Sequence, residues 1–226
     1  ELSTGEFRVT QARDTSSLMD DLTRISPAEL LVSEGQRAQF GEIEGALAYD
    51  DFAFLPEHAR FALCEHFGVK SLDGFGCSDM PAAIGAAGAI IHYLKQQLRR
   101  KVDHLTSLRC DTRDNYVTLD AATQVNLELV ESRGARNTSL LAALDRTVTP
   151  MGGRKMRSWI LQPLRVLVEL DRRQQMIADL LHESDLIPAL RQSLKSIRDL
   201  ERASGRLSQA SGNARDLVAL KTSLER

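Results

Sequence analysis

The stretch Thr138-Ser-Leu-Leu-Ala-Ala-Leu-Asp-Arg-Thr-Val-Thr-Pro-Met-Gly-Gly-Arg-Lys-Met-Arg-Ser-Trp-Ile-Leu-Gln-Pro-Leu164 carries the strongest local signals in this chain. It predicts two short helices, the first from about Leu140 to Asp145. The second helix is expected to begin at Thr149, whose hydroxyl can accept from free backbone N–H groups, with Pro150 in the first helical position. Offsets of three and four residues place the following side chains on one helical face, with the only tryptophan as the expected core anchor: Met156, Trp159, Ile160 and Pro163.

Composition indicates an ordinary globular chain of one or two domains. The 226 residues are 42% hydrophobic and 27% charged, which is sufficient for a substantial core. The net charge of −2 argues against autonomous DNA binding, because proteins that grip phosphates are usually basic. Three scattered cysteines favour a reducing compartment over a disulfide framework. The chain begins without Met and ends inside a helical pattern, so we expect a piece of a longer protein.

The pattern changes between residues 105 and 119, which predicts an α/β domain over residues 1–110 and an all-α domain over residues 111–226. In the first domain we expect a hairpin over residues 1–11 and a helix from Pro56 to Phe67. A longer helix is expected from Met80 to about Arg100, capped by Asp79. Its apolar run is too short to span a membrane, so we expect it to be buried in a soluble protein.

No motif for nucleotide or metal binding is present in the sequence. A phosphate-binding loop requires Gly-Lys-Ser or Gly-Lys-Thr, and Met151-Gly-Gly-Arg-Lys155 lacks the hydroxyl that would reach Mg²⁺. Cys64 and His66 are two residues apart on a helix and point in different directions. We therefore predict no catalytic, cofactor-binding or metal-binding residue in this chain.

Two features leave alternatives open. The adjacent Asp50 and Asp51 could belong to a metal-dependent nuclease, but such a site requires further carboxylates, and a solvated loop explains them as well. A basic stripe could follow a DNA backbone as an autonomous binding module, although interspersed acids also suit helix-end charge and ion pairing. The residues of this stripe are Arg191, Lys195, Arg198 and Arg202.

The helix at 56–67 has a mixed outer face with Phe61 among charged side chains. An exposed aromatic side chain rimmed by charge can anchor a protein partner, although it can equally be the edge of the core. The candidate partner-binding residues are Glu57, His58, Phe61 and Glu65.

The sequence after Asp120 resembles the core domain of the MutS family of DNA mismatch repair proteins, and the sequence before it resembles the connector domain of that family. The core resemblance rests on the following ordered motifs: Asp120-Ala-Ala-Thr-Gln-Val-Asn126, Ser139-Leu-Leu-Ala-Ala-Leu-Asp-Arg-Thr-Val-Thr-Pro-Met-Gly-Gly-Arg154, Trp159 with Pro163-Leu164, Arg198-Asp-Leu-Glu-Arg202 and Arg215-Asp-Leu217. The connector resemblance rests on Glu1-Leu-Ser-Thr-Gly-Glu-Phe7, Pro27-Ala-Glu-Leu-Leu31, Gly74-Phe-Gly76 and Ala86-Ala-Gly88.

This resemblance implies an RNase H-like connector, truncated at its N-terminus, followed by the first part of a helical core (lever-base) domain. The positions matched are structural, and the expected core residues are Met156, Trp159, Ile160 and Leu194. It argues against the nuclease, because the family's connector has this fold without that activity.

The resemblance also implies a cytoplasmic bacterial parent protein of the DNA damage response. That parent binds mismatched DNA, uses ATP and Mg²⁺ as a DNA-dependent ATPase, and signals to MutL. Its homodimer contacts, its mismatch-reading Phe-x-Glu motif and its phosphate loop would lie outside this chain. The role expected here is to connect mismatch sensing to the ATPase and to offer MutL a surface on the helix at 56–67.

Overall fold

The computed structural model describes residues 1–40, 43, 45–77, 79–111, 115–134, 138–183 and 185–225. The chain forms two compact units: unit 1 is Glu1–Asp111 with Gly205–Gly212, and unit 2 is Thr112–Ser204 with Asn213–Arg226. Unit 1 mixes strands and helices, whereas the regular elements described in unit 2 are helices. The predicted order of an α/β part followed by an all-α part is therefore confirmed.

Short parallel strands and helices alternate in the described part of residues 1–111. In chain order its elements are β1 (Arg8–Val9), α1 (Thr15–Ile25), β2 (Leu30–Ser33), α2 (Arg37–Phe40), β3 (Ala46–Tyr49), α3 (Pro56–Phe67), α4 (Pro81–His92) and β4 (Arg109–Cys110). Strand β2 pairs in parallel with β3, with Leu30 opposite Ala46, and β1 pairs in parallel with β4, with Arg8 opposite Arg109.

The predicted hairpin over residues 1–11 is wrong. Residues 1–5 form a turn in which the Gly5 amide donates to the Glu1 carbonyl at 3.0 Å. The β1 segment then pairs with β4: the Asp111 amide donates to the Val9 carbonyl at 2.8 Å. Alternation within residues 1–11 identified a strand, but local pattern cannot identify a partner so distant along the chain.

The core of unit 1 lies between α3 and α4. Helix α3 begins at Pro56 and ends before Gly68, which has a left-handed φ of +64°, as the sequence predicts. Its inner side chains Ala59 and Leu63 are fully buried. A Cβ on Gly88 of α4 would overlap Ala59, so these helices approach each other backbone to backbone. The small residues of α4 thus serve close packing inside the unit.

Helix α4 differs from its prediction at both ends. Met80, not Asp79, is the N-cap residue, and its side chain makes no capping hydrogen bond. Because Pro81 opens the helix without an N–H group, one donor that a cap would satisfy does not exist. The α-helical part ends at His92, and a π turn over Tyr93–Gln97 follows. Arg99 then adopts a positive φ of +49°, which stops the helix before Arg100.

The described regular elements of unit 2 are helices. These are α5 (Ala121–Asn126), α6 (Leu140–Leu144), α7 (Pro150–Leu161), α8 (Leu167–His182), α9 (Leu186–Lys195), α10 (Leu200–Ser208) and α11 (Ala214–Leu224); the last residues of α10 belong to unit 1. The Thr149 hydroxyl accepts from the Gly152 amide at 3.0 Å, so the predicted cap of α7 is confirmed. Asn213 likewise caps α11.

Helix α5 is shorter than the sequence suggests. It ends at Asn126 and the chain turns at Glu128, whose φ is +46°, well before Gly134. Residues 116–119, Tyr-Val-Thr-Leu, have the composition of a strand, but they form only one antiparallel bridge, between Tyr116 and Leu164. None of the described helices is long and apolar enough to cross a membrane.

Candidate partner-binding site

The outer face of α3 carries the four predicted partner-binding residues. Positions 57, 61 and 65 follow one another at helical spacing, with position 58 beside them. All four are exposed, and Phe61 is exposed over 71% of its surface. We call this set the α3 surface: Glu57, His58, Phe61 and Glu65.

A short segment before α3 extends the apolar part of this surface. Phe52 and Leu55 are each 49% exposed, and the Phe52 ring lies 3.7 Å from the His58 ring, centroid to centroid. Asp50 fixes that segment, because its carboxylate accepts from the Phe52 amide at 2.9 Å. Phe52 therefore adds apolar area beside His58, and Phe61 shares its helix face with the carboxylates of Glu57 and Glu65.

Cys64 and His66, two other side chains of the last turn of α3, do not belong to this surface. The His66 Nε2 atom lies 2.8 Å from the Leu105 carbonyl, and burial lowers the pKa of His66. His66 is therefore neutral near pH 7, and its Nε2–H donates to that carbonyl. Cys64 packs against the core of unit 1. Among the residues that the structure describes, no group of three or more His, Cys, Asp or Glu side chains could hold a metal ion.

The two adjacent acids have structural roles. Asp50 caps the 3₁₀ turn Asp51–Phe54, and Asp51 accepts from the Gly35 amide at 3.1 Å. Both carboxylates thus satisfy backbone N–H groups, and no further acids converge on them within the described part of the chain. This arrangement does not favour the two-metal nuclease that the sequence left open.

Trp159 is not a core residue in this structure, contrary to the prediction. Its side chain is 43% exposed, and the Arg173 guanidinium of α8 lies over the ring at 4.1 Å. The buried residue of α7 is Leu161, at 5% exposure. The other expected core residues, Met156, Ile160 and Leu194, are half-buried. Helical spacing identified a shared face correctly, but that face is only partly covered.

Arg154 is the residue of the Thr138–Leu164 stretch that makes the most specific contacts. Its guanidinium donates to the two Asp199 carboxylate oxygens at 2.6 and 2.9 Å and to Glu201 at 2.6 Å. The Asp199 carbonyl accepts from the Ala203 amide at 3.0 Å, which places Asp199 at the start of α10. In the sequence Arg154 belongs to the failed phosphate loop and to the core motif that ends at this residue, and neither pattern predicts this contact. The signal that could have found this contact is the Asp199-x-Glu201 pair.

This contact also explains part of the basic stripe. The hydrogen bonds between Arg154 and Asp199 lower the pKa of the Asp199 carboxyl and raise the pKa of the Arg154 guanidinium. Arg202 lies 3.9 Å from the same carboxylate, and Arg191 donates to the Arg146 carbonyl at 2.7 Å. Two of the four cations are therefore engaged within unit 2, which argues against a free phosphate-binding stripe.

Two family models match the chain in succession. MutS domain II matches residues 1–106 and MutS domain III matches residues 122–226. The chain belongs to the MutS family. The DNA mismatch repair protein MutS of Thermosynechococcus vestitus is 40% identical over 99% of this chain, and that of Protochlamydia amoebophila is 37% identical over 100%. The corresponding protein of Symbiobacterium thermophilum is 39% identical over 99%.

The MutS chain described here spans about 28% of the length of the first two relatives and 27% of the third. It corresponds to a connector and core portion of a mismatch repair protein. Its best-defined polar contacts are helix caps and the ion pair of Arg154 on α7 with Asp199 at the start of α10.

Proposed function

We propose that this chain connects mismatch sensing to ATP hydrolysis within a full-length MutS protein. We assign residues 1–110 to the connector, with an RNase H-like fold, and residues 111–226 to the first part of the helical core. The observation that carries the proposal is the succession of MutS domains II and III along one chain. The two compact units give this assignment physical support.

The chemistry of the full-length protein is assigned to its other domains. We propose that the whole protein is a cytoplasmic, homodimeric, DNA-dependent ATPase that binds mismatched DNA and requires ATP and Mg²⁺. No residue of this chain is assigned to nucleotide, metal or base recognition; the two acids considered for such a role, Asp50 and Asp51, accept from backbone amides.

We further propose that the α3 surface docks MutL. Phe61 is 71% exposed on a helix whose opposite side is locked into the core, so a partner can bury it without rearranging unit 1. Buried aromatic anchors of this kind contribute about 2 kcal/mol or more at the centre of protein interfaces. Glu57 and Glu65 give the rim negative charge, which favours a partner surface with basic residues.

Capture of MutL by the full-length protein tests this site. Phe61→Glu should abolish capture, because it places a charge at the centre of the contact. Its matched control is Ile25→Glu at the end of α1, where the replaced side chain is also exposed, at 54%. Basal ATPase activity should persist in both variants. Unchanged capture by Phe61→Glu, or equal loss in both variants, contradicts the assignment of the α3 surface.

The contribution of the charged residue Glu57 can be tested separately from that of Phe61. Glu57→Lys reverses one exposed charge and should mainly slow association, with a difference from the wild type that shrinks as salt is raised. Association rates measured at two ionic strengths check this expectation. A salt-independent loss of binding would show that the carboxylate does not act through its charge.

A further inference from the structure

The turn that ends α10 belongs to unit 1, although it lies inside the sequence matched by MutS domain III. This segment, Gly205–Gly212, is separated in sequence from the rest of unit 1 by residues 112–204. Ordering a short segment costs conformational entropy, so a segment that packs in a different unit from the residues on either side of it requires stabilising contacts there. Two such contacts reach Leu2 and Ser3, and a third contact, between Gly5 and His104, fixes this N-terminal turn within unit 1.

The first contact is between backbones. Gly205 is buried, and a Cβ at this position would overlap the Ser3 carbonyl oxygen. Its φ is not in the left-handed region, so glycine is required here for space and not for backbone conformation. The last turn of α10 is therefore seated directly on the N-terminal turn.

In the second contact, the side chains of Gln209 and His104 both donate to the Leu2 carbonyl oxygen. The Gln209 side-chain amide donates to the Leu2 carbonyl at 2.9 Å, and the His104 Nε2 atom lies 2.8 Å from the same oxygen. Because that oxygen can only accept, His104 carries a hydrogen on Nε2 and donates it there. The Nδ1 atom of His104 is buried without a hydrogen-bond partner among the described residues.

The third contact holds the N-terminal turn from its other side. Gly5 has a φ of +76°, and a Cβ there would lie 2.9 Å from the His104 carbonyl oxygen. His104 thus meets the turn through its ring at Leu2 and through its backbone at Gly5. The end of α10 therefore packs against the N-terminal turn, and His104 holds that turn within unit 1.

Helix α10 is consequently held at both of its ends. Its start is fixed within unit 2 by the ion pair of Arg154 with Asp199, and its end is fixed within unit 1 by Gly205 and Gln209. We propose that Gly205 and Gln209 form a latch, closed on Leu2, Ser3 and His104, that holds the end of α10 in unit 1 and whose opening frees that end. This inference rests on the proposed connecting function.

Hydrogen exchange followed by mass spectrometry on the 226-residue chain tests the latch. Gln209→Glu replaces the donor with a carboxylate facing the Leu2 carbonyl. It should raise exchange at both residues 2–8 and residues 205–211 by at least about fivefold, as expected for the loss of one net hydrogen bond. Exchange over α6 and α7 should stay unchanged. Gln192→Glu, at an exposed position of α9, is the charge-matched control and should alter neither segment.

A second variant addresses the backbone contact. Gly205→Ala should displace α10 from Ser3 and raise exchange in the same two segments, whereas Gly134→Ala, with nothing within 4 Å of the added Cβ, should not. Exchange that rises only at residues 205–211, or throughout the chain, overturns the latch. Mismatch stimulation of ATPase in the full-length protein tests the connecting function separately, so failure of either proposal is recognisable alone.

Discussion

Replacing Arg154 by methionine removes the charge that organises α7 and the start of α10 while keeping a long apolar side chain. The guanidinium makes three charge-assisted hydrogen bonds, two to Asp199 and one to Glu201, at 2.6 to 2.9 Å. Its loss leaves the Asp199 carboxylate without its strongest partner. Asp199 also begins α10, so the change should loosen that helix.

The expected loss follows from the exposure of the three side chains. Arg154 and Asp199 are 25% and 20% exposed, whereas Glu201 is 51% exposed. Breaking a fully buried pair costs about 3–5 kcal/mol and breaking an exposed pair less than about 1 kcal/mol. Because this pair is mostly but not fully covered and Glu201 is screened by water, we expect Arg154→Met to lower the free energy of unfolding by about 2 kcal/mol.

Urea unfolding monitored by tryptophan fluorescence is the appropriate assay. Trp159 is the only tryptophan and lies on the same helix as Arg154, so its emission follows unit 2 specifically. Lys155→Met on the same helix is the matched control: it removes an exposed cation and should change stability by less than about 0.5 kcal/mol. A change below about 0.5 kcal/mol in Arg154→Met would refute the reasoning that this ion pair stabilises unit 2.

The remaining predictions concern packing and pH. Gly88→Ala should destabilise unit 1 by about 1–3 kcal/mol through overlap with α3, while Gly74→Ala, with open space around the added Cβ, should not; circular dichroism in urea checks both. Trp159→Ala should cost less than the truncation of fully buried Leu63, for which about 3 kcal/mol is expected. The depressed pKa of Asp199 means that its ion pair stabilises the fold above about pH 4 and that this contribution is lost in more acidic solution, so Asp199→Asn should flatten that part of the stability profile.

The ends of α3 and α7 could be predicted from the sequence, because each depends on a capping side chain, a proline or a glycine within a few residues. Thr149 with Pro150 opens α7, and Gly68 closes α3, because capping and left-handed turns depend on a few consecutive residues. The predicted start of α4 was wrong. Asp79 has a side chain suited to capping, but Met80 occupies the N-cap position before Pro81.

Features that depend on distant partners could not be predicted from one sequence. The strand at Arg8–Val9 was recognisable, but its pairing with Arg109–Cys110 was not. Trp159 has the composition of a core anchor, yet its burial depends on which helices cover it. The contact of Arg154 with Asp199 joins two motifs that were each noted, and only the fold brings them together.

The exposed face of α3 was predictable from helical spacing, since positions 57, 61 and 65 share one side of the helix. Its apolar extension was not, because Phe52 precedes the helix and reaches His58 through the 3₁₀ turn that Asp50 caps. The sequence likewise could not reveal that the end of α10 joins unit 1.

The most direct test of the connecting function is mismatch-stimulated ATPase activity of the full-length protein carrying Arg154→Met. The substitution lies outside the proposed sites for DNA and ATP, so mismatch affinity and basal ATPase activity should match the wild type. Stimulation by mismatched DNA should fall to the level seen with fully paired DNA, because the start of α10 is no longer held. Full stimulation, despite a measured loss of stability in the same variant, would contradict the account.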